Sequence, residues 1–234
     1  MKRTILTASL MVLISALVAT SRAQDQPPQD DEQGPGAARI SLIQGEVSTQ
    51  RGDSGEWVAT TVNAPLVRGD KIATGPRSRA EVQLDYAHVL RLGPNTEVSI
   101  ADMTRSRMQL QVASGLADLV VYKGAEAEAE ADTPNMAVHP LGEGTYRIQV
   151  DSPSETSMTV REGRAEVSTP QGSTPVDRDQ IIYVKGTDNP EFRSDRAPAL
   201  DAWDQWNRER DSQILNAKSW SHTNRYYTGS QDLD

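Results

Sequence analysis

From residue 39 onward, apolar and polar residues alternate along several short stretches, and this alternation restricts the fold more than any other feature. Three of the apolar series are Ala80, Val82 and Leu84, then Met108, Leu110 and Val112, and then Tyr146, Ile148 and Val150. Because successive side chains of a strand point to opposite faces, a period of two predicts strands with one buried side and one wet side. Turn-forming residues separate the stretches at short intervals, for example at 68–70, 93–95 and 170–172. The pattern predicts an all-β module of many short strands, as a sandwich, a roll or a solenoid-like structure.

Residues 125–131 alternate Ala and Glu, which are both good helix formers. A helix would place Glu126 and Glu130 as like charges at i,i+4, whereas a strand places the three glutamates on one wet face. We therefore predict a strand here, and specifically an edge strand whose negative charges discourage pairing with another chain.

Residues 1–23 have the pattern of a cleavable secretory signal. Lys2 and Arg3 precede an apolar stretch at 5–18, and Ser21 and Ala23 supply the small residues of a cleavage site before Gln24. The apolar stretch is shorter than the about 20 residues that cross a bilayer, so we expect release without a stable transmembrane anchor. An uncleaved anchor is the alternative. Both outcomes put the rest of the chain outside the cytoplasm, as a periplasmic or secreted protein.

Residues 24–38 are rich in Gln, Asp, Pro and Gly and predict a disordered linker. Removal of the signal takes the formal net charge from −9 to −12, which disfavours nucleic acid as a partner. The chain contains no cysteine, so neither disulfides nor thiol chemistry is available. Its three histidines, His88, His139 and His222, lie far apart in sequence, and no catalytic motif occurs. We predict no catalytic residues, no metal and no cofactor.

The β region also carries a run of turn glycines and core alternations that resembles the FecR domain, an extracytoplasmic β module. The resemblance runs through 45–47, Trp57, 66–75, 78–82, 90–96, 110–115, 132–134, 144–146 and 160–163. It implies a FecR-like β domain over 39–187. Five residues are interpreted as structural: Trp57 over one end of the core, and Gly69, Gly75, Gly93 and Gly163 at tight turns or close backbone approaches.

FecR-type regulators place a helical region that binds a sigma factor and one transmembrane helix before this domain. Here the predicted signal peptide stands in that place. The main prediction is accordingly a non-enzymatic exported envelope protein that acts as a binding or scaffold module. The alternatives are a component of a cell-surface signalling system related to FecR regulators, and an enzyme of unrecognised type.

Residues 188–234 predict a helical and irregular tail. Leu200, Trp203, Trp206, Arg210 and Ile214 recur at helical spacing, which predicts a helix over about 199–217 that docks on the β module. Aromatic residues concentrate here, and aromatic rings anchor protein interfaces and stack on sugars. Trp203, Trp206, Trp220, Tyr226 and Tyr227 are therefore the candidate residues for binding a partner, which would be an envelope protein or a glycan.

Overall fold

The computed structural model describes residues 36–216, which form seventeen strands and one helix. The strands of the first half are β1 (Ala38–Gln44), β2 (Val47–Gln50), β3 (Trp57–Ala59), β4 (Pro65–Leu66), β5 (Lys71–Thr74), β6 (Arg79–Gln83), β7 (His88–Leu92), β8 (Glu97–Met103) and β9 (Arg107–Val121). Those of the second half are β10 (Glu128–Asp132), β11 (Ala137–Pro140), β12 (Gly144–Ser152), β13 (Glu155–Glu162), β14 (Arg164–Thr169), β15 (Gly172–Asp177), β16 (Gln180–Lys185) and β17 (Glu191–Arg196). The helix α1 (Ala202–Leu215) follows them.

The strands form two layers that share the long strand β9. Sheet 1 has the order β4-β1-β6-β7-β9-β12-β13-β16-β17, with every neighbouring pair antiparallel. Sheet 2 has the order β3-β2-β5-β8-β9-β10-β11-β14-β15, in which the pairing of β9 with β10 is parallel. The inner faces of both sheets contribute to one apolar core. The prediction of an all-β sandwich-type module with a C-terminal helix is therefore confirmed.

The core uses the apolar series that the alternation identified. Val82, Leu110 and Ile148 are all buried, and they come from β6, β9 and β12 respectively. Tyr146 is also fully buried, and its hydroxyl donates to the carbonyl oxygens of Gly142 and Arg164 at one end of the core. The inward side of these strands thus follows directly from the sequence.

Strand β9 passes from sheet 2 to sheet 1 at Gly115. Residues before this glycine pair with β8, and residues from it onward pair with β7 and β12. Gly115 has a φ of +87°, and a Cβ there would lie about 2.5 Å from the Thr96 hydroxyl oxygen. Only glycine suits both the left-handed backbone and the close approach. The bend places the second half of β9, including Asp118, in the middle of sheet 1.

Two expectations about strand positions need correction. Only the later part of the Ala/Glu segment forms a strand, β10, and that strand lies between β9 and β11, so the prediction of an edge strand is wrong. The alternation is as expected, with Ala129 and Ala131 buried and the glutamates facing outward. At the other end, β17 pairs with β16, so sheet 1 continues past residue 187, where the sequence had placed the end of the β domain.

The four glycines interpreted as structural occupy two kinds of position. Gly69 and Gly163 have positive φ values. A Cβ at Gly75 would lie 3.0 Å from the Glu46 side chain, and one at Gly93 would lie 3.1 Å from the Leu116 side chain. Trp57 differs from its expected place: it lies on the short strand β3, is 40% exposed, and does not belong to the buried core.

Several predictions fall outside residues 36–216, namely the signal at 1–23, most of the linker at 24–38, and the aromatic residues Trp220, Tyr226 and Tyr227. Within the described residues, no helix is both long enough and apolar enough to cross a membrane.

Candidate functional site

Helix α1 lies on the outer face of sheet 1, whereas the sequence had predicted only that it docks on the β module. Its N-cap is Asp201, whose carboxylate accepts from the backbone N–H of Asp204, while the Asp204 carboxylate accepts from the N–H of Asp201. This reciprocal capping fixes the first turn. At the other end of the helix, Ile214 is buried against Ala87, Val89 and Tyr122. Between these two ends, hydrogen bonds and ion pairs join the helix to the sheet.

Four charged residues form a row across the sheet beneath the helix. Glu81 of β6, Arg91 of β7, Asp118 of β9 and Arg147 of β12 are direct cross-strand neighbours. Their signs alternate along the row, which is the favourable order for adjacent strands. Glu81, Arg91 and Asp118 are fully buried, so three of the four members of this charge row, as we call it, are removed from water.

Helix side chains supply opposite charges to one end of the row. Arg210 Nη2 lies 2.6 Å from Glu81 Oε1, and Arg91 Nε donates to Glu81 Oε2 at 2.8 Å. Arg91 Nη1 lies 2.8 Å from Asp211 Oδ1 and also donates to Asn207 Oδ1 at 3.1 Å. The charge of each of these buried groups is therefore balanced by a partner.

A second set of ion pairs holds the N-terminal turn of the helix. Arg161 of β13 forms a bidentate pair with Asp204, at 3.0 Å from Nε to Oδ1 and 2.6 Å from Nη2 to Oδ2. Arg147 Nη1 contacts Asp201 Oδ2 at 2.8 Å and Asp204 Oδ2 at 3.1 Å. Because Asp204 is also buried, this pair is shielded from solvent and salt.

Asp118 is the exception in the row, because its helix partner is neutral. Trp203 Nε1 donates to Asp118 Oδ1 at 2.9 Å, and Oδ2 is buried without a hydrogen-bond partner. Asp118 also lines a cavity of about 20 Å³ between sheet and helix, together with Thr145, Asn207 and Asp211. A cavity of this size holds about one water molecule.

The pKa values of the buried carboxyls follow these surroundings. Burial alone would raise the pKa of Glu81, but the hydrogen bond and charge of Arg210 and the charge of Arg91 outweigh burial and lower it to about 2. Burial raises the pKa of Asp118 to about 7, and the Trp203 hydrogen bond and the charges of Arg147 and Arg91 offset only part of that effect. One row thus holds a carboxylate that is firmly ionised and a carboxyl that titrates near neutrality.

Of the candidate binding aromatics, the two that lie within the described residues, Trp203 and Trp206, both contact sheet 1. Trp203 and Trp206 have ring centroids 5.0 Å apart and are half-buried. The guanidinium of Arg79 lies 4.7 Å from the centroid of the Trp206 ring, at cation–π distance. Both rings therefore help to hold the helix on the sheet.

Sequence reasoning missed the charge row because it assigned the polar face of these strands to solvent. Glu81 and Gln83 follow a regular alternation, yet both are buried. A signal was present for two of the residues: Arg91 and Asp118 each stand alone in an otherwise apolar run, 89–92 and 116–121. A single charge in such a run indicates that both faces of the strand are covered.

Comparison with known proteins identifies the module that carries this row. Residues 70–178 match the family described as FecR protein. The chain carries a FecR domain. The match extends from the residue before β5 to the residue after β15, so it contains the charge row and Arg161, whereas α1 lies outside it. The resemblance inferred from the turn glycines is confirmed.

Two crystal structures, at 2.50 and 1.65 Å resolution, also resemble the chain, and both are of a “putative anti-sigma factor” from Parabacteroides distasonis ATCC 8503. The sequences are 20% and 19% identical, and the TM-score is 0.48 in both cases. Each alignment covers 55% of this chain and 60% of the other, so it spans less than two thirds of that protein. Among curated proteins, no sequence matches the chain.

Proposed function

We propose that this chain is a non-enzymatic, exported component of a FecR-type cell-surface signalling system. The observation that carries the proposal is the FecR match over residues 70–178, which covers a continuous part of both sheets. The signal-like N-terminus supports a periplasmic or secreted location. This choice favours the signalling alternative over the more general binding or scaffold module.

The described residues also fit a role without catalysis. Asp118, whose pKa is raised to about 7, is the strongest candidate for acid–base chemistry, but it lies beneath α1 and is fully buried. Within residues 36–216, no group of three His, Cys, Asp or Glu side chains is arranged to hold a metal ion. The charge row is accounted for by helix docking.

We infer that the partner is an envelope protein that contacts the segment after α1. Trp203 and Trp206 already contact the sheet, so Trp220, Tyr226 and Tyr227 are the candidate binding aromatics that remain for a partner. A plain scaffold role is the second candidate, supported by the exposed side chains of Trp57 and Val58 on β3. Among the described strands, β3 pairs only with β2 and so lies at an edge of sheet 2.

The test is deletion of the gene in the source organism, with complementation by tagged variants. The signalling proposal expects deletion to change transcription of a defined gene set, and wild type to restore it and to retain an envelope protein after crosslinking. A variant with Trp220, Tyr226 and Tyr227 changed to Ala should melt like wild type and restore neither readout. Trp57→Ala is the matched control, which should restore both.

An unchanged transcriptome after deletion would reject signalling. If Trp57→Ala alone lost the crosslinked protein, the scaffold role would be favoured. N-terminal sequencing of the purified tagged protein tests export separately, because the mature chain should begin at Gln24, and a chain beginning at Met1 would contradict signal cleavage.

A further inference from the structure

Between α1 and sheet 1, every carboxyl of the ion-pair network except Asp118 is paired with an arginine. Four arginines, Arg91, Arg147, Arg161 and Arg210, are paired with four carboxylates, Glu81, Asp201, Asp204 and Asp211. Asp118 is a fifth carboxyl between the same helix and sheet, and it is fully buried. When it is ionised, the paired set carries one surplus negative charge, and when it is protonated, the set is neutral.

The contacts of Asp118 favour the protonated form while the helix is docked. Its Oδ2 has no hydrogen-bond partner, and the Trp203 indole that contacts Oδ1 carries no charge. Leaving a buried carboxylate oxygen without a partner is costly, whereas a protonated carboxyl can donate to a water molecule in the adjacent cavity.

The charged groups around Asp118 come from four elements. Arg91 of β7 and Arg147 of β12 flank it, but both direct ion pairs to other carboxylates. Arg161 and Glu162 of β13 share the cavity with it, as do Asp204, Arg208 and Asp211 of α1. The two helix aspartates face Asp118 with like charge, so docking of the helix adds negative charge above it.

We propose that Asp118 is a protonation switch for helix docking, which keeps α1 on sheet 1 at acidic pH and weakens its attachment as the pH rises toward neutrality. The outer face of sheet 1, with its charge row, becomes accessible when the helix leaves. The switch needs no partner and is therefore independent of the proposed signalling role.

Linkage gives the sign and the size of the effect. With α1 docked, burial raises the pKa of Asp118 to about 7, and with α1 released the carboxyl faces water and returns toward its ordinary value of 3.8. The docked state then binds more protons between these two values, so its advantage is complete below pH 3.8, falls steadily as the pH rises from there, and is lost above about pH 7. Between pH 5 and pH 8, the ratio of docked to undocked helix should fall roughly 100-fold.

The experiment uses a single thiol introduced into the full chain, which has no cysteine of its own. Ile214→Cys places the thiol where the side chain is 2% exposed, and Leu215→Cys, at a site 55% exposed, is the matched control on the same turn. Both variants are labelled with a dipyridyl disulfide, which reacts at acidic pH. The labelling rate at position 214 divided by the rate at position 215 reports undocking of the helix, because the pH dependence of thiol ionisation is common to both variants and cancels.

Relative labelling at position 214 should rise roughly 100-fold from pH 5 to pH 8. In an Asp118→Asn background, which keeps an oxygen for Trp203 and adds a donor in place of Oδ2, the ratio should stay low and flat. The histidines are present in both proteins and cancel in the comparison. A flat ratio with Asp118 intact, or an equal rise in both backgrounds, would overturn the proposal.

A direct titration guards against a misfolded Asn variant. The ¹³Cγ chemical shift of Asp118 in the unmodified protein should titrate with a midpoint near pH 7. A midpoint near 4 would show that the docked helix tolerates the carboxylate, and that result would refute the switch regardless of the labelling.

Discussion

Replacing Asp204 with alanine removes the carboxylate that joins the helix cap to the sheet. Arg161 would lose both of its hydrogen bonds to that carboxylate, and its side chain is only 7% exposed. Removal of one partner from a buried ion pair costs about 3 to 5 kcal/mol, because the other charge remains desolvated. Loss of the reciprocal cap adds about 1 kcal/mol. The stability of the docked helix should therefore fall by about 4 kcal/mol or more.

Urea unfolding and limited proteolysis together distinguish destabilisation of the whole domain from release of the helix. If the docking free energy exceeds the cost of the substitution, the helix stays docked and the free energy of unfolding in urea falls by the whole cost. If the docking free energy is smaller, the helix leaves the sheet. The free energy of unfolding then falls only by the docking free energy, and the segment between β17 and α1 becomes sensitive to protease. Both outcomes follow from the same buried pair.

The matched control is Glu209→Ala, an exposed position on the same helix, which should change stability by less than about 0.5 kcal/mol. Adding Arg161→Ala to Asp204→Ala should recover part of the loss, with a coupling energy of about 2 kcal/mol. A loss below about 1 kcal/mol for Asp204→Ala, with unchanged proteolysis, would refute the reasoning, because it would mean that water solvates the Arg161 guanidinium when its partner is removed.

Three further predictions concern the sheets. Gly115→Ala should lower the free energy of unfolding in urea by at least about 2 kcal/mol, because it adds a clash with Thr96 to the backbone strain. The control is Gly124→Ala, where φ is +86° but nothing lies near the added Cβ, and it should cost only about 1 kcal/mol. Trp57→Ala should cost less than about 1 kcal/mol, and a loss near 3 kcal/mol would restore it to the core. The lowered pKa of Glu81 makes its contribution complete above pH 4.5 and lost as the pH falls toward 2, so Glu81→Gln should flatten the acid side of the stability profile measured by thermal melting.

Local patterns in the sequence determined the inward faces of the strands and the presence of a C-terminal helix. Alternation identified Val82, Leu110 and Ile148 as core residues because the two-residue period of a strand is a property of the backbone itself. Turn glycines marked the FecR domain for the same kind of reason, since a positive φ or a close approach restricts the residue type wherever it occurs.

The tertiary structure alone decided what covers the outward faces. Strand β10 is internal because it pairs in parallel with the first part of β9, after the chain has passed through the second part of β9 in sheet 1, and no local pattern specifies such a neighbour. In the same way, Glu81 reads as a solvent-facing residue until Arg210, 129 positions later, contacts it. The raised pKa of Asp118 comes from its burial, and the distant segment that forms the helix covers it. The two-residue period of a strand can be identified from neighbouring residues in the sequence. Burial of the second face depends instead on contacts between segments far apart in the chain, and these form only when the whole domain folds.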